Sequence, residues 1–205
     1  ILLSETYQQR STFQLDNPAL SLDADNRLLW RQNSRRLEAE AIRDSVLALS
    51  GKLNSKRGGP GFEDFRYQDA YAPIYTYITA DKPELWRRSI YRYIVRTTPD
   101  RFLRTLDCPD PANLTAKREI TTTPLQSLTL YNNDFMLRQA LYFSERIRNS
   151  SKSDTEQQVR IAFQLAYARL PTPTETHIAQ QLIERQGLFT LCRSLLNSNE
   201  FLYVD

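Results

Sequence analysis

Six arginines lie between Trp86 and Arg104 (87, 88, 92, 96, 101 and 104), against one acid, Asp100. A guanidinium is a planar fork that fits carboxylate, sulfate or phosphate. Just upstream come Tyr67, Tyr71, Tyr75 and Tyr77. Tyrosine joins an apolar ring to a polar tip and suits wet binding sites. With Trp30 and Trp86, these rings could form a platform for an anionic polysaccharide. Arg87, Arg88 and Arg92 would take the charges, and Tyr71 and Tyr75 would stack. Rings and charge together also suit single-stranded nucleic acid, but a net charge of +3 steers partners only weakly. The alternative is that the rings pack in a core. The arginines then form a solvated strand face, paired with acids such as Asp107, Asp110 and Glu119.

Other chemistry has less support. His177 is the single histidine and sits in the first turns of a helix that begins at Pro173. A metal site there would need ligands from elsewhere. No G-x-S-x-G accompanies it for hydrolysis, so it reads as a surface histidine. Asp107 and Asp110 flank Cys108-Pro109. A glycosidase needs two carboxylates across a cleft, but an Asp-Pro turn uses the same residues to bond local backbone. GGPGF, 58–62, is a loop without the Lys-Ser/Thr of a phosphate-binding loop. Cys108 and Cys192 fit one bridge in an exported protein or two buried thiols, and unpaired thiols are the preferred reading. No C-x-x-C-H occurs, so no haem attaches here. No catalytic, cofactor-binding or metal-binding residue is therefore assigned.

The elements that would position these residues emerge from pattern. ILLSETYQQRS, at the start, reads as part of a helix. Ser34 can cap a helix over RRLEAEAIRDSVLALS, with Arg36 and Glu40 as a surface pair and Gly51 as its stop. Leu37, Ala41, Ile42, Val46 and Leu49 form its apolar stripe. YAPIYTYIT and RRSIYRYIVR read as two strands of a small antiparallel sheet, with FLRTLD a possible third. A helix over 86–94 is the alternative for the second. Thr123-Pro-Leu-Gln126, Ser153-Asp-Thr-Glu156 and Thr172-Pro-Thr-Glu175 are three capping boxes that start helices. Asn132-Asn133 and Asn197-Ser-Asn199 interrupt helical runs. Asn tolerates left-handed backbone, and Asn133 and Ser198 can each cap the next helical turn.

TTTPLQSLTLYNNDF (121–135), RRSIY (87–91) and LLNSNEFLYVD (195–205) carry a family resemblance. The chain resembles planctomycete domain of unknown function family fifteen fifty-three from about Leu3 to Asp205. Thr123, Pro124, Gln126, Asn132, Asn197 and Asn199 are its signature positions here. The resemblance implies the C-terminal part of a large exported protein, periplasmic or at the cell surface, with haem c possible in an upstream domain. One departure stands out: where many relatives carry a Cys after the PDP turn, this chain has NLTAKREITTTP, with Ala116. No redox or metal role of that Cys carries over.

The expected fold is mainly α, helical hairpins with a small antiparallel β-sheet. It divides into N-terminal helices over 1–51, a loop-rich part with the sheet over 52–122, and a helical part over 123–205. One domain is expected, as a fragment of a longer polypeptide; no run of apolar residues is long enough to span a membrane. The expected function is a non-catalytic structural or interaction module, its partners the upstream domains of the same polypeptide. A carbohydrate-binding or carbohydrate-active domain for anionic polysaccharide is the alternative, and nucleic-acid binding is a distant third.

Overall fold

The computed structural model describes residues 1–79, 81–151 and 154–204. Helices dominate, and the sheet content is two small antiparallel pairs. The main helices are α2 (Ala39–Leu49), α4 (Pro124–Asn132), α5 (Asp134–Ser151), α6 (Thr155–Tyr167), α7 (Pro173–Gln186) and α8 (Leu188–Leu196). Short helices are α1 (Ala19–Leu22), α3 (Arg101–Thr105) and α9 (Asn199–Leu202). α5 packs on α6 and α8, and α7 on α6 and α8, so the chain from α5 to α8 forms stacked hairpins. Their shared core is built from Phe143, Ile147, Val159, Ala162, Cys192 and Leu196, joined by Ile42 and Val46 of α2. No described helix is long and apolar enough to cross a membrane.

Local chemistry explains the helix ends. Thr123 and Thr172 each accept from the backbone N–H three residues on, and Gln126 and Glu175 bond back to the cap nitrogen. The Ser153 start lies outside the described residues; α6 is capped by Asp154, whose Oδ1 accepts from Glu156 N at 3.1 Å. Gly51 ends α2 at φ +73°. Its N–H reaches Ala48 O, and Lys52 N reaches Leu47 O, the paired bonds of a Schellman motif. Arg146 of α5 also donates to Ala48 O and to Leu49 O at that end.

Five local expectations give way to tertiary structure. Residues 1–11 form hydrogen-bonded turns and no α-helix, with Ile1, Leu2 and Leu3 exposed. A short helix is marginal without a face to pack against, and none is supplied here. Ser34 does not cap α2. Instead Arg35–Arg36 (β1) pairs antiparallel with Tyr203–Val204 (β4), and the helix starts at Ala39. The Arg36–Glu40 pair does not form: Arg36 is buried beside Asp107 and Gln126, and Glu40 pairs with Arg118.

Ile74–Tyr77 is a strand (β3), but its partner is Phe65–Gln68 (β2), with Phe65 opposite Tyr77 and Tyr67 opposite Tyr75. RRSIYRYIVR is neither strand nor α-helix. It contains a 3-10 turn, Ser89–Tyr91, because its polar side chains are pulled to different neighbours: Ser89 N and Oγ both bond Asp44 Oδ1 (2.8 and 2.7 Å). FLRTLD is no strand either. Asp100 accepts from Leu103 N at 2.8 Å and caps α3.

Candidate functional site

The arginine run divides into members that hold the fold and members that face solvent. Arg87 is only 6% exposed. Its Nη atoms donate to Gly58 O (2.6 Å) and Pro60 O (2.8 Å), and its guanidinium lies over the Tyr91 ring. It therefore clamps the glycine loop. A Cβ at Gly61 would stand 3.1 Å from Tyr91 O, so a side chain there would push that backbone back by a few tenths of an ångström. Arg92 sits between two carboxylates, Asp64 at 2.8 Å and Asp100 at 3.1 Å, and over the Tyr77 ring. Burial opposes its charge, but the two aspartates outweigh burial and raise its pKa. Arg88 is largely exposed and reaches Asp44 at 3.6 Å. The carboxylates that pair with this run are thus Asp44, Asp64 and Asp100.

The aromatic platform is not continuous. Tyr71 is fully exposed, while Tyr75 packs edge-on against Phe65 and tilted against Tyr67. Trp30 packs edge-on against Phe13 in the N-terminal segment, and Trp86 is buried against Tyr142. Arg87 and Tyr71 line neither of the two main clefts.

Those clefts share a wall made of Tyr77, Arg92, Pro99, Asp100 and Leu103. The first, about 510 Å³, opens between β3, the 98–103 segment and the start of α5. Arg43, Trp86 and Gln139 contribute to it, with Tyr75 and Phe135. Arg43 is buried and donates to Leu85 O, Arg87 O and Ser89 Oγ. Burial pulls its pKa down, and the charge of Arg92 adds to that.

The second cleft, about 500 Å³, is a groove past Ile90, Tyr93 and Ile94, with Cys108 and Glu40 at one side. Cys108 Sγ lies 3.6 Å from Glu40 Oε1, and Arg118 holds the same carboxylate through two bonds. Burial, then the Glu40 charge, pushes the Cys108 thiol up to about 11. Cys108 and Cys192 are both free. No cluster of three metal-ligating side chains occurs among the described residues.

A family model described as "protein of unknown function (DUF1553)" matches residues 1–183. The chain belongs to this family. No curated protein and no solved structure matches it. The match stops short of the LLNSNEFLYVD tail.

Within this DUF1553 chain the signature residues lie at junctions. Gln126, 4% exposed, uses its whole amide: Oε1 accepts from Thr123 N and Arg36 Nη1, and Nε2 donates to Asp107 Oδ2 and Thr121 Oγ1. Pro124 is the first residue of α4, after Thr123. Asn132 ends α4, and its Oδ1 accepts from Arg193 Nη2 of α8 at 2.9 Å. Arg193 also donates to Tyr131 O and lies over the Tyr131 ring. Asn133 Oδ1 accepts from Phe135 N at 2.9 Å and starts α5. Ser198 caps α9 through Phe201 N. Asn197 closes α8, but its Oδ1 has no donor among the described residues. Asn199 is exposed, and nothing in the structure explains its side chain.

Asp110 Oδ1 accepts from Ala112 N, as an Asx turn requires. Asp107 binds Thr121 N and Oγ1, both at 2.8 Å. His177 meets Gln181 on the outer side of α7. The DUF1553 clefts also use Arg43, Gln139 and the Cys108–Glu40–Arg118 group, which sequence pattern does not single out. One signal was present: Arg43 and Gln139 are polar residues set in the apolar faces of α2 and α5.

Proposed function

We propose that this chain is a non-catalytic interaction module of a large exported multidomain protein, and that the groove past Ile90, Tyr93 and Ile94 is its docking face. The observation that carries this reading is exposure: Ile90 is 79%, Tyr93 51% and Ile94 65% exposed along one short segment. Apolar side chains grouped in this way mark binding surfaces. Among the described residues, the backbone N–H groups of Ile94 and Arg96 have no backbone acceptor. The segment thus offers side-chain anchors together with free backbone donors, the combination that captures an extended peptide segment. Arg88, Arg104 and Arg118 line the groove together with Glu38, Glu40 and Asp44, Arg88 paired with Asp44 and Arg118 with Glu38 and Glu40. A mixed rim of this kind selects a protein segment over a polyanion.

The arginine run gives little to nucleic acid, because Arg87 and Arg92 are spent on carbonyls and carboxylates inside the fold. The partner consistent with the family resemblance is the upstream part of the same polypeptide, where a haem c domain can lie. The test is calorimetric titration of that upstream part, produced separately, with this chain and with an Ile90→Asp/Ile94→Asp variant. Both positions are exposed, so the variant keeps its unfolding midpoint. Binding by the native chain that disappears in the variant is the expected result. Equal binding by both, or none by the native chain, overturns the reading.

A further inference from the structure

The first cleft contains more hydrogen-bond donors than the protein satisfies. Trp86 and Gln139 line it, at 8% and 1% exposure, and neither Trp86 Nε1 nor Gln139 Nε2 has an acceptor among the described residues. A buried donor left unpaired costs roughly 1–3 kcal/mol, and two in one cleft lining call for a ligand or water that brings oxygen atoms. The lining also holds one acceptor without a donor, Asp64 Oδ1.

Charge narrows the choice. Arg43, Arg92, Arg101 and Arg138 line the cleft against Asp64 and Asp100, and both aspartates are engaged with Arg92. Arg138 reaches only Asp81, at 3.3 Å, and Arg101 has no carboxylate partner among the described residues. The cleft therefore favours an anion, and low-dielectric walls concentrate that preference.

Two details restrict the anion. An orphan carboxylate oxygen needs an O–H or N–H donor, which sulfate does not offer and a sugar hydroxyl does. The rings of Tyr75, Phe102 and Phe135 supply apolar faces of the kind that sugar rings stack on. A volume of about 510 Å³ lies within the ordinary range for small-ligand sites.

We propose that this cleft binds a hydroxylated carboxylate of sugar-acid size, a hexuronate unit. Arg101 and Arg138 face the carboxylate, the Trp86 and Gln139 N–H groups take ring or hydroxyl oxygens, and Asp64 takes a hydroxyl. The cleft shares a wall with the docking groove, but Ile90 and Ile94 line the groove alone. Failure of uronate binding therefore leaves the docking reading, which is tested at Ile90 and Ile94, untouched.

Trp86 provides the readout. In a Trp30→Phe background it is the only tryptophan, so its fluorescence reports the cleft alone. The probes are D-glucuronate and D-galacturonate, with D-glucose as hydroxyls without charge, and acetate and sulfate as charge without sugar hydroxyls. The uronates are expected to change the signal with an affinity about tenfold above every control, the equivalent of roughly one good interaction. Arg101→Ala removes an exposed side chain and is expected to weaken uronate binding about tenfold, with the fold intact. Calorimetry of Trp86→Phe, which keeps a ring and deletes the N–H, is expected to show several-fold weaker binding. Equal responses to uronate, sulfate and glucose, or no response, overturn the proposal. So does uronate binding that both variants leave unchanged.

Discussion

Gln126→Met isolates the junction that joins the chain's two halves. Methionine keeps the length and nearly the volume of the side chain and removes all four of its hydrogen bonds. Two of the partners are charged: Arg36 Nη1 at 2.8 Å and Asp107 Oδ2 at 3.1 Å. Bonds to charged groups contribute roughly 1.5–3 kcal/mol each. Neither partner is wholly orphaned. Arg36 keeps Thr121 O at 2.6 Å and Asp107 at 3.5 Å, and Asp107 keeps both bonds to Thr121. The low end applies, about 3 kcal/mol in total. For a chain of this size that lowers Tm by roughly 6–12 °C. Thr123→Ala removes the cap oxygen alone and costs about 1 kcal/mol.

Urea and thermal unfolding of both variants, with Arg36→Met and the Arg36→Met/Gln126→Met double variant, complete the cycle. Because Arg36 and Gln126 share one network, their effects fall short of additive by at least about 0.5 kcal/mol. A loss below about 1 kcal/mol for Gln126→Met, or strict additivity, would refute the account of Gln126 as the hub.

Further predictions concern acid, thiols and the glycine loop. Arg169 bridges Glu175 and Glu200, tying α6 to α7 and α9. Bonds from Arg169 and from the Thr172 backbone depress the Glu175 pKa to about 2. A depressed carboxylate stabilises above its unfolded pKa and loses that contribution as pH falls toward the folded value. The gap in urea midpoint between native chain and Arg169→Met is therefore expected to narrow from pH 5 to pH 2; a constant gap would argue against it. Native Cys108 is expected to alkylate slowly at neutral pH, with a rate that climbs toward pH 11. Glu40→Gln removes the adjacent charge and shifts that profile to lower pH, whereas buried Cys192 stays unreactive in both. Arg87→Met frees the Gly58 and Pro60 carbonyls and is expected to cost about 2–3 kcal/mol. It also opens the 56–61 loop to limited proteolysis, and an unchanged cleavage rate would contradict the clamp.

The helical half was legible because its signals are local. Thr123 and Thr172 need only the three residues after them, and Asn133 and Ser198 only the next turn. The segments misread are those in which distant partners decide. Arg35 and Arg36 look like the first turn of a helix until the chain's end arrives to pair with them. RRSIY has the composition of a strand. However, Arg87 finds carbonyls almost thirty residues back, and Ser89 finds Asp44 on α2. Neither partner could be inferred from spacing. The clefts were illegible for the same reason, since Trp86, Arg101 and Gln139 come from three separate segments. Only the intrusion of Arg43 and Gln139 into apolar stripes hinted at buried polar work.

That intrusion links the two clefts. Arg43 crosses from α2 into the space beneath RRSIY, donates to Arg87 O and Ser89 Oγ, and stacks on Phe62 and Phe135. It fixes the segment whose outer face carries Ile90, Tyr93 and Ile94, and it also lines the donor-rich cleft on the inner side. Arg92, held by Asp64 and Asp100, is the shared wall. A buried cation network with this many fixed partners cannot relax on one side without moving the other. Occupying the inner cleft should therefore alter the outer groove through Arg43 and Arg92. A uronate that binds inside is expected to change affinity for the docked segment, and the segment to change affinity for the uronate by the same factor, as linkage demands. Two affinities that are measurable yet strictly independent would leave the clefts as neighbours with no coupling through their common wall.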